Sequence, residues 1–244
     1  MRTTLYTLLT FLLLNQIVHA EIVVKIINTS GEVKVRYGLE EEWHKAKIGL
    51  DLKEIDTILT GESGEIVIQF PGGKKFILGS NSMLDIGDLR EIEEKELFLF
   101  LMSKKVENIQ PSKGKTKLRI GDVSAVHGES KAKTDTTQSN ENENLLVDKE
   151  INGAVALFIQ KYYTNTLYKL HSLLDKYKSI IYNGKVYYYI ARSFEFLNKK
   201  GQAVDAYQVV IKTYENKESL SQDEKKYLIE SQNALQRLKS SKRN

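Results

Sequence analysis

The chain has 244 residues, enough for one large domain or two ordinary ones, and at 41% hydrophobic and 28% charged it has the composition of a globular protein. The formal net charge is only +4, with Lys and Arg mixed among Asp and Glu along the whole length, so no basic face for nucleic acid is expected. There is no cysteine, which excludes disulfides, zinc–thiolate sites and a thiol nucleophile.

Residues 1–20 read as a signal peptide. Arg2 is the charged end, Leu5 to Leu14 the apolar core, and Val18-His19-Ala20 a small-residue cleavage site. The core is shorter than the ~20 apolar residues of a membrane span. A retained N-terminal anchor is the alternative. With no Cys after the site, a lipid-anchored form is not expected. The reading implies a periplasmic or secreted protein without a transmembrane segment once the signal is removed.

Residues 21–128 predict a β domain. Ile22 to Ile27 is a β-branched opening strand, and Asn28-Thr-Ser-Gly31 is a turn. Glu32 to Tyr37 alternates polar and apolar residues. Trp43 is the only tryptophan. Ile55 to Thr60, Glu65 to Phe70, Lys75 to Leu78 and Met83 to Ile86 are further strands, separated by Gly61-Glu-Ser-Gly64 and Pro71-Gly-Gly73. Strands at this spacing predict an antiparallel sandwich or roll. The final apolar run, Leu97 to Met102, is read as a strand buried on both faces, or else as a partner-binding or membrane-touching edge.

The order of these signals resembles the FecR domain family. Gly31, Val33 and Val35 match its Gly-x-Val-x-Val strand. Trp43, Ala46, Gly49 and Leu52 match the following aromatic and loop segment. Ile55-Asp56-Thr57-Ile58-Leu59-Thr60-Gly61 matches its "GD-x-I-x-TG", with Ile55 where the family has Gly. Phe70, Gly72 or Gly73, Phe76, Leu78, Gly79, Asn81 and Ser82 match the next block, and Ala125-Val-His-Gly-Glu129 approximates its closing motif. FecR-type regulators sense outer-membrane transporters and signal to a sigma factor through a cytoplasmic arm. An export signal starting at Met1 leaves no such arm, so the resemblance implies the domain fold and an envelope setting only.

Residues 129–147 form a polar run with little to bury, read as a linker that lets the two halves orient separately. Residues 148–240 then predict an all-α region of helical hairpins. Ile151, Val155, Phe158 and Ile159 recur at helical spacing, as do Leu167, Leu170 and Leu174, then Tyr187, Ile190, Ala191 and Phe194. Gly201 is read as a C-terminal cap. Ala203, Tyr207, Val210 and Tyr214 follow, and Ser221 with Glu224 forms a capping box for a last helix. Eleven of the 13 tyrosines lie between Tyr162 and Tyr227.

These paired helices resemble tetratricopeptide repeats (TPR). Residues 184–217 make one good repeat around Ala191, residues 150–183 a degenerate one, and residues 221–239 a cap. With so few repeats the module is expected to lean on a partner or to form a homodimer. The resemblance implies a peptide-binding face on the first helices, where Lys185, Tyr188, Arg192 and Glu195 fall as partner-binding residues.

No catalytic residue, cofactor site or metal site is expected. The histidines His19, His44, His127 and His171 are scattered, and Gly61-Glu-Ser-Gly64 lacks the nucleophile-elbow pattern. The expected function is a non-enzymatic, protein-binding adaptor or scaffold of the bacterial cell envelope, acting in sensing or assembly. The alternative is a structural protein that binds cell-wall glycan (peptidoglycan).

Overall fold

The computed structural model describes residues 22–107, 136–180 and 183–240. The expected signal peptide, its cleavage site, Ala125–Glu129 and residues 129–135 of the expected linker lie outside the described residues. An antiparallel β region comes first, and an all-helical region of six helices follows.

Eight strands form two four-stranded antiparallel sheets. They are β1 (Val23–Ser30), β2 (Val33–Arg36), β3 (His44–Lys45), β4 (Asp51–Lys53), β5 (Thr57–Thr60), β6 (Glu65–Gln69), β7 (Lys75–Leu78) and β8 (Met83–Asp85). One sheet has the order β4-β1-β6-β7, the other β3-β2-β5-β8. Alternation places Val24, Ile26, Ile66, Ile68, Phe76 and Leu78 from the first sheet against Val33, Val35, Ile58 and Leu84 from the second in one buried core.

The sandwich is one long ribbon folded at a corner. β1 pairs β6 through Ser30 opposite Glu65, and β2 pairs β5 through Val33 opposite Thr60. The two turns between them lie back to back, and the Gly61 amide donates to the Glu32 carbonyl at 2.8 Å. Gly31 sits in that corner at φ 62, and a Cβ there would strike the Ser63 carbonyl. Only glycine satisfies both demands.

The six helices are α1 (Glu94–Glu107), α2 (Thr136–Ile159), α3 (Tyr163–Lys176), α4 (Gly184–Phe196), α5 (Lys200–Tyr214) and α6 (Gln222–Ser240). Three expectations need correction. The run from Leu97 to Met102 is helical, not a strand: it lies inside α1, opened by Glu94 and Glu96 in its first turn, where carboxylates favour a helix N-terminus. A short apolar run carries no period that separates the two readings. Second, residues 136–147 of the expected linker belong to α2. Val147, Ile151 and Ala154 are all buried, so the amphipathic register starts before residue 148, and extending a nucleated helix into polar residues costs little. Third, the left-handed residue ending α4 is Asn198, at φ 58, while Gly201 lies inside α5. Asn is the other residue that tolerates this conformation. The expected capping box is present: the Ser221 amide donates to Glu224 at 2.9 Å, and the Glu224 amide to the Ser221 hydroxyl at 3.3 Å.

The two regions share α2, which overturns the expectation that they orient separately. Ala156 and Leu157 belong to the sandwich core, while Val147, Ile151 and Ala154 belong to the helical core. α2 packs along β8 and β7, the strands at the ends of the two sheets. A Cβ at Gly153 would strike the Met83 carbonyl, so glycine lets the helix approach the strand. The Gln160 side chain then closes the free edge of β7. Its amide nitrogen donates to the Ile77 carbonyl at 2.8 Å, and its oxygen accepts from the Ile77 amide at 2.9 Å, as a neighbouring strand would. Lys149 reaches the Thr60 carbonyl at 3.3 Å and Asn152 the Asn81 carbonyl at 2.8 Å.

Candidate partner-binding surfaces

The residues that carry the FecR resemblance do structural work at turns. Asp56 is buried and its two oxygens accept from the amides of Gly38 at 2.9 Å and Lys53 at 2.8 Å. The buried Thr60 hydroxyl donates to the Gly79 carbonyl at 2.6 Å and accepts from the Ser82 amide at 2.9 Å. Trp43 is half-buried, with the Arg36 guanidinium 5.1 Å from its ring centre.

The four sequence-predicted binding residues share one side of α4, and the structure turns that side towards α2 and α6. Lys185 donates to Asn152 of α2 at 2.8 Å, and burial pulls its pKa below the ordinary lysine value despite nearby Asp148 and Asp223. Tyr188 is only 6% exposed; its ring tilts against Tyr227 and its hydroxyl donates to Glu230 of α6. Burial, then that carboxylate, raises the Tyr188 phenol well above the usual range. Arg192 lies 3.7 Å from Glu230 and stacks over Phe196. Glu195 accepts from Tyr207 at 2.7 Å and from Arg237 of α6. Burial pushes the Glu195 carboxyl up, but these two donors outweigh it and hold it below the carboxylate norm. The α4 side is therefore internally satisfied by α2, α5 and α6. Arg192, with its Nε unpartnered, and the 49% exposed Phe196 remain at its edge.

A second surface lies on α1. Leu97 enters the helical core and Phe100 stacks on Tyr168 of α3 at 4.1 Å between ring centres. This packing leaves Phe98 (57% exposed), Leu99 (58%) and Met102 (42%) on the outside. Phe98, Leu101 and Met102 open onto a hollow of about 280 Å³, with Phe194 at its wall.

A third lies at the seam between sandwich and helices. Beneath it, the Lys169 ammonium is buried between Asp88 at 2.7 Å and Asp85 at 3.0 Å, with Glu150 at 3.8 Å. Glu150, itself buried, accepts from Lys176 at 2.9 Å and the Tyr177 hydroxyl at 2.8 Å. Burial opposes the charge on Lys169, but Asp88 and Asp85 outweigh it and raise its pKa above the ordinary value. Asn165 donates to the carbonyls of Asp88 at 2.8 Å and Arg90 at 2.7 Å, fixing the chain that leaves the sandwich. Above it opens a trough of about 600 Å³, walled by the β6–β7 turn, residues 89–92 and the α2–α3 turn.

Among the described residues no group of His, Asp and Glu is arranged to hold a metal ion, and no helix is long and apolar enough to cross a membrane. His44 is paired with Glu40 at 3.1 Å; His19 and His127 lie outside the described residues. Comparison with protein-family models, with curated proteins and with solved structures finds no match for this chain.

Proposed function

We propose that this chain is an exported, non-enzymatic adaptor or scaffold of the bacterial cell envelope. Its β region is read as FecR-like and its helices as TPR-like. The observation that supports binding best is the apolar strip Phe98, Leu99 and Met102, exposed side by side on a helix otherwise anchored by Leu97 and Phe100. Clustered apolar exposure of this kind marks protein–protein contact sites. The α4 residues Lys185, Tyr188, Arg192 and Glu195 serve the same reading by fixing α6 and presenting Arg192 beside Phe196. Because α2 enters both cores, the adaptor holds its surfaces in a fixed relation and does not swing them on a tether.

In-cell crosslinking of the tagged protein, with identification of the products, tests this reading. The expected result is one defined envelope protein, its yield reduced by Phe98→Asp with Met102→Asp in a variant that keeps its melting temperature. Recovery of wall fragments alone would replace the adaptor with a glycan-binding protein. Recovery of self-crosslinks alone would replace it with a homo-oligomeric structural role.

A further inference from the structure

We infer that the seam trough is a docking site for an acidic polypeptide segment carrying an apolar side chain beside its carboxylates. The inference rests on the adaptor reading in taking the ligand to be a partner protein. Lys74, Lys161 and Arg90 line the trough against a single carboxylate, Glu91. Arg90 is already bound by Glu96, and its guanidinium lies over Tyr168. Lys74 and Lys161 are both exposed, and neither has a carboxylate partner among the described residues. Lys74 instead holds its ammonium 4.2 Å from the ring centre of Tyr162, which positions it over the trough. Lys161 is carried on a residue at φ 69, a left-handed conformation uncommon for a side chain of this kind, fixed by the amide of Lys161 bonding Phe158 and that of Tyr162 bonding Leu157.

One further feature favours an anion. Tyr162 opens α3 without a side-chain cap, so the helix presents its first amides and the positive end of its dipole to the same space. The remaining wall sets Phe70, Leu89, Ile92 and Leu197 beside the polar Thr164 and Asn165. Two lysines without an ion-pair partner among the described residues, beside these apolar side chains, match a carboxylate next to an aromatic or aliphatic side chain. The trough is open, whereas a small-molecule site encloses most of its ligand. A chain that continues past both ends of the trough fits that shape.

The test is fluorescence anisotropy with purified protein and a labelled peptide of Asp and Glu around a central Phe. Two control peptides carry Asn and Gln, or Lys, in place of every acid. The acidic peptide alone should bind, with affinity falling as salt rises. Lys74→Glu with Lys161→Glu should weaken it on the order of tenfold or more, while Lys34→Glu, on the far sheet, should not. Both lysines are exposed, so the melting temperature should hold; if the double variant unfolds, Lys161→Gln alone should still weaken binding. Equal binding of acidic and neutral peptides, or indifference to the lysine reversals, would overturn the inference. Displacement of the peptide by an equal concentration of N-acetylglutamate would overturn it too, assigning the trough to a small anion. In cells, capture of a defined protein that survives both reversals would remove this site and leave the adaptor. Failure of the wild type to capture any protein would remove the adaptor itself.

Discussion

The sandwich and the helical stack are held together by different chemistry. In the sandwich the buried set is almost wholly aliphatic, with Phe76 its one fully buried aromatic. Its polar groups close turns, as Asp56, Thr60 and Ser82 do. In the helical stack, tyrosines fill much of the space between helices and their hydroxyls end on carboxylates: Tyr177 on Glu150, Tyr188 on Glu230, Tyr207 on Glu195. A substitution in the sandwich therefore loses area and leaves a cavity. In the stack it also strands a polar partner, whose desolvation is no longer offset. The seam combines both modes, because α2 buries Ala156 and Leu157 on one side while Lys169 and Glu150 lie buried beside its other packing face.

The largest expected effect comes from breaking the seam at its charge. Lys169→Ala leaves Asp88 and Glu150 in a buried site with no ammonium between them, and should cost about 3–5 kcal/mol. Chemical denaturation followed by circular dichroism should show strand and helix signals lost together, at lower denaturant, if the two regions are one cooperative unit. Two separated transitions in the wild type would refute the shared-core account. The same cluster sets a pH window. Lys169 has its folded pKa raised, so its contribution is complete below the unfolded value of about 10.4 and is lost as pH rises above it. For Asp85, burial acts upward, but Lys169 and Thr57 outweigh it and lower the pKa. Its contribution is complete above about 3.9 and is lost as pH falls below. These two contributions are therefore flat between those limits and fall on both sides, while Asp88, whose carboxyl burial pushes above the ordinary value, opposes Asp85 at the acid limit; Lys169→Met should flatten the alkaline limb.

A smaller break tests the contact on the sandwich side of α2 alone. Gly153→Val drives a side chain into the Met83 carbonyl and should cost about 2–3 kcal/mol, near the upper range for overpacking. Hydrogen exchange should quicken first at β8 and β7, with the α4–α5 hairpin following only at higher temperature. Uniform acceleration would mean that α2 does not separate the two cores as described.

How far these features were legible in the sequence differs between the regions for physical reasons. The strands β1, β2 and β5 to β8 and the hairpins α3 to α6 follow local period and turn chemistry, which the chain states residue by residue, whereas β3 and β4, two and three residues long, are too short to carry a period and were not expected. Leu97 to Met102 does not, because six apolar residues fit either period; what decides is the carboxylate-rich start at Glu94 and the packing of Phe100 on Tyr168, contacts with a segment about seventy residues on. The α4 residues were read as a partner-binding set on one helix side. Their engagement by α6 depends on Glu230 and Arg237, which share no local pattern with them. Lys74, Lys161 and Tyr162 carry no motif at all, since they meet only once a strand turn and a helix turn are brought together by α2. A lone Gly153 inside an amphipathic helix was the one local hint that a backbone approaches there.

The smallest effects separate the two kinds of interior most cleanly. Tyr207→Phe removes one hydroxyl from a fully buried ring and leaves Glu195 short of a donor, so it should cost about 1.5 kcal/mol, the lower range for a hydrogen bond to a charged group. It should also let the Glu195 carboxyl titrate at a higher pH, because one of the two donors that hold it down is gone. Gln160→Ala removes two hydrogen bonds from an exposed strand edge where water can replace both, so about 1 kcal/mol or less is expected. Its clearer signature is local: the Ile77 amide should exchange faster while the Ile68 and Val67 amides, one strand further in, keep their protection. If Gln160→Ala instead costs as much as Tyr207→Phe, the glutamine does more than cap β7. It would then be holding the end of α2 on the sandwich, and the seam would depend on polar contacts at its rim as much as on Leu157 and Lys169 at its centre.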